Sequence, residues 1–257
     1  MGKKKKKKKK APKIVLGVDI GGTGIKGALV DVRRGELAKD RLRIPTPQPA
    51  TPEAVVDTVA QIAEHFKWKG RLGCTIPARV RRGVVETATN IDDAWIGTDL
   101  EKVIGKRIGL RCAVLNDADA AGVAEVRFGA GKGKKGVILV LTLGTGIGSA
   151  LFVDGKLVPN TEFGHLRWKG DIIEKWAANS VREQNEMSWK EWAERVQDTL
   201  DHVEHILAPD RIIIGGGVSR QKRWQEYAHL LTTHAKLVPA ALTNEAGIVG
   251  AAWQARK

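Results

Sequence analysis

Cysteine is nearly absent from this chain. Cys74 and Cys112 are the only two in 257 residues, each alone in an apolar segment. A disulfide framework needs more of them and a thiolate metal site needs closer spacing, so both read as small buried hydrophobes in a reducing compartment. Long apolar runs are missing too. None approaches the roughly 20 residues of a membrane helix, although 42% hydrophobic content supports a real core. The N-terminus has neither the apolar stretch of a secretory signal nor the pattern of an amphipathic transit peptide. Acidic residues are also in deficit: 29 Asp and Glu face 43 Lys and Arg, for a net charge of +14. Eight of those lysines are the unbroken run Lys3 to Lys10, and without them the body carries +6. Such a run is expected to repel itself, to be disordered and to attract polyanions of any kind; a nuclear-localisation signal and an appended or solvating tail are the alternative readings. Residues 1–12 are therefore set outside the fold.

The length suits one large domain or two halves sharing a cleft. The chain is organised around Leu115-Asn116-Asp117-Ala118-Asp119-Ala120-Ala121-Gly122. Cys112 to Leu115 reads as a buried strand that delivers an Asn-Asp pair where a helix, roughly 118 to 127, begins. A carboxylate at such a junction sits on rigid backbone and points into the crevice at the strand's end. That suits a general base taking a proton from an alcohol. The competing reading is that Asn116 or Asp117 only caps the helix.

Glycine turns flank this junction. Ile14 to Ile20 is a strand that ends at Gly21-Gly22-Thr23-Gly24, and Ile25 to Val32 follows as a second strand. This is not a dinucleotide fingerprint, because no helix N-terminus follows the glycines. The turn's N–H groups and the Thr23 hydroxyl can instead cradle a phosphate, and Asp19 can face it through Mg²⁺. Lys26, on the second strand, joins the phosphate-binding candidates. An ordinary hairpin is the alternative. Val137 to Leu143, Gly144-Thr145-Gly146 and the strand ending at Val153 repeat the same construction. Two such turns, one per half, can close on a phosphate group from opposite sides.

Between these landmarks, Glu36 to Ile44 reads as a strand. A proline-rich stretch, 45–52, ends with Thr51 as cap and Pro52 opening a helix. Its stripe is Val55, Val59, Ile62 and Phe66, with Gly70 as the stop. Leu72 to Ile76 and Val84 to Thr89 are further strands, separated by the basic residues Arg79, Arg81 and Arg82. Asn90, in the loop carrying Trp95, is either a ligand contact or a turn residue. The loop Arg127 to Gly136 is glycine-rich and basic, and Lys132, Lys134 and Lys135 there can bind a phosphate chain by charge. Glu162 and His165 stand three apart around Gly164, so both side chains can converge on one polar ligand; a structural or solvated role is the alternative. Glu174 follows at the head of a helix over about 171–184. Ser188 and Glu191 form a capping box for a long helix with Trp192, Val196, Leu200, Val203 and Leu207 on one face, a stripe for core or subunit contact. Arg211 to Ile214 leads into Gly215-Gly216-Gly217, where a planar ligand or phosphate chain can lie close to backbone; tight helix–strand packing is the alternative. Asn244 is placed as the cap of a last, small-residue helix.

Asp19-Ile20-Gly21-Gly22-Thr23, Leu115-Asn116-Asp117-Ala118-Asp119, Leu143-Gly144-Thr145-Gly146-Ile147-Gly148, Glu162-Phe163-Gly164-His165, Ile214-Gly215-Gly216-Gly217 and Asn244-Glu245-Ala246-Gly247 together resemble sugar kinases of the ROK family, within the actin-like ATPase superfamily. The likeness runs from about Ile14 to the C-terminus. It is nearest to the polyphosphate-using glucokinases of actinobacterial type, through Thr46-Pro47-Gln48-Pro49-Ala50-Thr51-Pro52 and Pro159-Asn160-Thr161-Glu162-Phe163-Gly164-His165.

The resemblance implies an α/β, actin-like (ribonuclease H-like) fold of two lobes with a central cleft. The lobes are placed at 13–115 and 116–243, with the C-terminal helix, 244–257, packing back on the first. It implies phosphorylation of the glucose 6-hydroxyl from polyphosphate or ATP with Mg²⁺, in a cytoplasmic homodimer with no membrane span and no specific nucleic acid. Asp117 matches the catalytic base. Asn116, Glu162, His165 and Glu174 match sugar ligands, and the two turns match phosphate grips. Gly215 to Gly217 match the turn beside adenine. Many relatives carry a cysteine-rich zinc loop after the Gly-His pair; only Leu166 to Ile173 stand there in this chain, so structural zinc is not expected. The eight-lysine run has no counterpart in the family pattern. A strictly ATP-dependent glucokinase or glucomannokinase is the alternative enzyme. A ROK-type repressor would need a helix-turn-helix ahead of the kinase-like part, where about a dozen residues, mostly lysine, precede the first strand.

Overall fold

The computed structural model describes residues 13–88 and 91–256. The Lys3–Lys10 run and Asn90 lie outside the described residues. The first sheet starts with β1 (Ile14–Ile20) antiparallel to β2 (Ile25–Asp31); Ile20 lies opposite Ile25, leaving 21–24 as the turn. β3 (Glu36–Leu37) and β4 (Leu42–Ile44) both pair with β2. The single strand expected over 36–44 is thus two, because they occupy the two ends of one β2 edge and the chain must turn between them. α1 (Pro52–His65) is capped by the Thr51 side chain, which accepts from the Ala54 N–H. It ends well before Gly70, because Lys67 takes a left-handed φ of 47°, and Phe66 is already its C-cap.

β5 (Leu72–Ile76) lies parallel to β1. A small hairpin follows, β6 (Val80–Arg81) and β7 (Val84–Val85), in place of the longer strand expected over 84–89. α2 (Leu100–Ile108) is capped by Asp99 and stopped by Gly109 in the left-handed conformation. β8 (Cys112–Asn116), parallel to β5, completes the order β3-β2-β1-β5-β8 and passes directly into α3 (Asp117–Phe128).

The second sheet repeats the opening. β9 (Val137–Leu143) pairs antiparallel with β10 (Ile147–Val153), Leu143 opposite Ile147, with Gly144, Thr145 and Gly146 between. β11 (Lys156–Val158) edges it. After one helical turn at Phe163–His165 come the hairpin β12 (Arg167–Trp168) and β13 (Asp171–Ile172), then α4 (Glu174–Ala177) and α5 (Asn179–Gln184). The single helix expected over 171–184 is broken at Ala178, whose backbone is extended. The break has a local reason. It lets the Ser180 N–H donate to the Gly144 carbonyl at 3.0 Å and the Ser180 hydroxyl reach the Thr145 carbonyl, docking α5 beneath the second glycine turn.

α6 (Trp189–Leu207) opens on the Ser188–Glu191 capping box and buries Trp192, Val196, Leu200 and Val203. β14 (Arg211–Gly215) runs parallel to β9; α7 (Gln221–Tyr227) and β15 (Lys236–Pro239), parallel to β14, follow. α8 (Ala246–Ala255) closes the chain. Asn244 does not cap it. The Asn244 side chain accepts from Arg220 at 3.1 Å, and α8 starts without a side-chain cap.

α3 and α8 form the layer between the two sheets. Val15, Ala28, Val30, Ala124, Ile248, Val249 and Ala252 fill the first-sheet side, and Val123, Val126, Val140, Phe152 and Ile213 the other. α1 and α2 cover the outer face of the first sheet and α6 that of the second. Glycine permits the tightest of these contacts: a Cβ on Gly73 would lie 1.9 Å from the Ala251 carbonyl oxygen. The arrangement aims the turn ends of both sheets and the N-terminus of α3 at the same place.

Candidate active site

β8 is buried at Val114 and Leu115 and hands over to α3 at Asn116. Asn116 is the helix cap. Its Oδ1 accepts the Asp119 N–H at 3.0 Å, and its Nδ2 donates to the Ala78 carbonyl at 3.2 Å, tying the junction to the first sheet. Because Asn116 does the capping, Asp117 is left available as the first helical residue. One of its oxygens accepts the Ala118 N–H at 2.8 Å; the other has no hydrogen-bond partner among the described residues. Burial raises its carboxyl to about 6, and the negative charges of Asp19 and Glu162 push the same way.

Asp117 faces a cleft of about 600 Å³. One wall carries Gly21, Gly22 and Thr23, and the opposite wall carries Gly144, Thr145 and Gly146. Among the described residues the N–H groups of Gly22, Thr23, Thr145 and Gly146 have no internal acceptor, so both turns offer free donors to an anion. Glu162, His165 and Glu174 line the same cleft. The His165 ring sits between the two carboxylates, 3.9 Å from each. Glu174 also accepts the Ile147 N–H at 3.1 Å, which fixes it to the strand after the second turn. Burial raises the Glu162 carboxyl, while His165 and Arg79 pull it back down.

Other candidates lie elsewhere. Of Gly215, Gly216 and Gly217, at the end of β14 and just after it, only Gly216, at φ 85°, lines the cleft. Lys26 pairs with Asp19 at 3.5 Å, and the other Asp19 oxygen accepts from the Thr75 hydroxyl at 2.8 Å. Arg79 and Arg81 converge on Glu86. Arg82, at a left-handed φ in the hairpin turn, faces a separate surface beside Asp99 and Lys102. Lys132 lines a different recess at the far end of α3, and Lys134 and Lys135 are exposed beyond it. Asn90 is outside the described residues.

Four participants escaped the sequence reading. Thr142, at the end of β9, and the Pro77-Ala78 segment line the cleft. Asn160, at a left-handed φ of 59°, accepts from the Val80 N–H at 3.0 Å and donates to the Val80 carbonyl at 2.8 Å. Its own N–H donates to Asp119 at 2.9 Å. Asp119 is fully buried, one of its oxygens has no partner among the described residues, and burial raises its carboxyl to about 7. The signal for Asp119 was present, as the second acid of the Asn-Asp-Ala-Asp run. That for Asn160 was only an Asn after a proline.

The family model described as the ROK family matches residues 15–174, well over half of the chain. The chain belongs to the ROK family. Known proteins are similar to it over nearly its whole length. The polyphosphate glucokinase of Mycobacterium tuberculosis is 50% identical over 92% of this chain and 89% of its own, and that of Mycobacterium leprae is 50% identical over 92% of this chain and 72% of its own. The inorganic polyphosphate/ATP-glucomannokinase of Arthrobacter sp. strain KM superposes with a TM-score of 0.89 at 47% identity, covering 95% of this chain and 98% of that one. The ROK glucokinase of Streptomyces griseus, solved with glucose and AMPPNP, gives 0.78 at 26% identity over 95% and 99%. The ROK fold is the α/β, actin-like arrangement expected from the motifs. Among the described residues no three His, Cys, Asp or Glu side chains are grouped to hold a metal, and no helix is long and apolar enough to cross a membrane.

Proposed function

We propose that this protein is a polyphosphate glucokinase, transferring a terminal phosphoryl group from inorganic polyphosphate, and also from ATP, to the 6-hydroxyl of glucose. The observation that carries the reading is the position of Asp117. A half-buried carboxylate with one unpartnered oxygen stands between two turns with free N–H groups and beside a Glu–His–Glu cluster, all in one cleft.

The chemistry follows from those groups. Asn116, Glu162, His165 and Glu174 hold the sugar by directional hydrogen bonds, so a sugar lacking a matching hydroxyl leaves them unpaired and is rejected. Asp117 takes the proton of the 6-hydroxyl as its oxygen attacks phosphorus. The new O–P bond forms while the bridging P–O bond to the rest of the donor breaks, and the shortened chain, or ADP, leaves with the negative charge. The turns at 21–23 and 144–146 hold the transferring group's oxygens, as such reactions demand positioning and charge neutralisation more than covalent help. Mg²⁺ prefers one or two carboxylates together with phosphate oxygens, and Asp19, beside the first turn, is the carboxylate that fits it. When bound, the ion neutralises charge on the phosphates. Gly216, reaching the cleft with its backbone exposed, supports ATP as the second donor. The cytoplasmic homodimer implied by the resemblance belongs to the same reading.

The test is mass-spectrometric detection of glucose 6-phosphate from glucose with polyphosphate and, separately, with ATP, for the full chain and for Asp117→Ala. We expect product from both donors and at least a 100-fold loss of kcat in the variant, about 3 kcal/mol of transition-state stabilisation. Near-normal turnover by Asp117→Ala would remove that residue from the role.

A further inference from the structure

The two glycine turns grip an anion with backbone alone, since no Lys or Arg among the described residues lines the cleft. A phosphoryl donor carries at least one more phosphate beyond the one transferred, and that group extends past the turns. Lys26 and Arg43 flank the first turn, on β2 and β4. Lys26 is already paired with Asp19 at 3.5 Å. Arg43 is exposed and is paired with no carboxylate among the described residues.

The Arg43 guanidinium is nevertheless held in place. One of its nitrogens donates to the Thr23 carbonyl at 2.9 Å, and its other N–H groups have no acceptor among the described residues. The group lies against Gly24, where an added Cβ would stand 2.6 Å from Nε and 2.8 Å from Cζ. Gly24 is the seat of that guanidinium. The turn beneath is fixed as well: the Thr46 hydroxyl donates to the Gly21 carbonyl, and the Gly21 N–H donates to the Gly24 carbonyl at 3.3 Å.

Strand order sets the direction. Thr75, Asp19, Lys26 and Arg43 stand in one row across β5, β1, β2 and β4, and Thr75 lies opposite Leu115 of β8, two residues before Asp117. With strands about 4.8 Å apart, Asp117 and Arg43 flank the first turn on opposite sides. Attacking and leaving oxygens lie roughly in line across the transferring phosphorus. A hydroxyl attacking from the Asp117 side therefore sends the leaving chain toward Arg43.

We propose that Arg43 binds the donor's second phosphate, the group joined through oxygen to the phosphorus under attack. The chemistry recognised is a phosphate within a phosphoanhydride chain, which inorganic polyphosphate and a nucleoside triphosphate share. As the bridging P–O bond breaks, its electron pair stays on the leaving chain, and the guanidinium fork meets that negative charge. The arginine is charged throughout, so it transfers no proton. This role rests on the kinase reading of the cleft, whereas anion binding at Arg43 is measurable without turnover.

The test uses the full chain, Arg43→Ala and Gly24→Ala; the second keeps the charge but unseats the guanidinium. Calorimetric titration without glucose compares inorganic tripolyphosphate with inorganic phosphate, which fills the turns without reaching Arg43. We expect both variants to weaken tripolyphosphate binding by about ten-fold or more, with phosphate binding unchanged within about two-fold. In steady state the donor KM should rise and kcat fall with the glucose KM unaffected, and millimolar guanidinium should restore part of the kcat lost in Arg43→Ala. A defect with polyphosphate alone, or with ATP alone, identifies the donor whose second phosphate is bound. Unchanged tripolyphosphate binding by Arg43→Ala overturns the role. So does equal weakening for both anions, which would mean that Arg43 only shapes the turn. Weakened tripolyphosphate binding in a protein that makes no glucose 6-phosphate from either donor would sink the kinase reading and leave the anion site standing.

Discussion

The side-chain amide of Asn160 closes on both polar groups of the Val80 backbone, accepting its N–H at 3.0 Å and donating to its carbonyl at 2.8 Å. Eighty residues separate the two. The contact joins the loop that carries Glu162 and His165 to the hairpin that carries Arg79, and Asp119 holds the Asn160 backbone from below. A single side chain thus ties the wall built on the second sheet to the small β6–β7 hairpin that follows β5.

Replacing Asn160 with Ala should loosen that wall. Val80 is buried, and each backbone group left unpaired costs about 1–3 kcal/mol. The glucose KM should rise about ten-fold and Tm should fall by several degrees. Asn160→Gly relaxes the left-handed backbone but also lacks the amide, so it should show the same KM defect. Calorimetry and steady-state kinetics on both variants check this; a normal KM in Asn160→Gly would show that backbone conformation, not the amide, matters.

Catalysis should carry an acidic limb. Burial raises the Asp117 carboxyl from 3.8 to about 6, so the proposed base is protonated below that pH and ionised above it. Turnover should be level above about pH 7 and fall about ten-fold per pH unit below 6. The Asp117→Asn variant should lose the limb together with its activity. A wild-type profile flat down to pH 4.5 would contradict the assignment.

Asp119 should make the fold less stable as pH rises. Its carboxyl titrates at about 7 in the folded chain against 3.8 for the ordinary group. The folded state therefore holds a proton that the unfolded state has released between those values, and the stabilising effect is present below about pH 4 and lost through pH 7. Asp119→Asn keeps an oxygen for the Asn160 N–H and cannot ionise. Urea unfolding across pH 4 to 8 should show the variant gaining on the wild type by a few kcal/mol, because each ten-fold difference in proton affinity between the folded and unfolded chain is worth about 1.4 kcal/mol.

The α3–α8 layer should be intolerant of a single methyl group. A Cβ on Gly250 would lie 1.8 Å from the Ala120 carbonyl oxygen, a backbone atom that cannot swing away. Overpacking of this kind costs about 1–3 kcal/mol or more. Gly250→Ala should lower Tm by about 5 °C or more, with activity falling as well, since α3 carries Asp117 at its start. Differential scanning calorimetry measures the first effect directly.

Local chemistry made much of this protein readable from its residues. Apolar runs bounded by glycine give both strand–turn–strand units, and the Ser188–Glu191 box gives the start of α6 at its true position. The Asn116-Asp117 pair marks the strand–helix junction, although only the structure shows that Asn116 is the cap and Asp117 is not. Where a local signal had no tertiary check it went astray. Gly70 did not stop α1, Asn244 did not cap α8, and the helix over 171–184 broke at Ala178 to dock on a turn that precedes it by more than thirty residues.

The sequence by itself determined the two strand–glycine–strand units, the start of α6, and the Asn-Asp pair at a strand–helix junction. Those properties depend on neighbours within a few residues. The tertiary structure decided that no Lys or Arg among the described residues lines the cleft, that Arg33, Arg127, Lys132 and Arg256 meet around one recess, and that Asn160 grips Val80. Such pairings join positions that lie dozens of residues apart or more. They arise when α3 and α8 bury their small faces between the two sheets, and no periodicity along the chain encodes where that packing brings distant side chains.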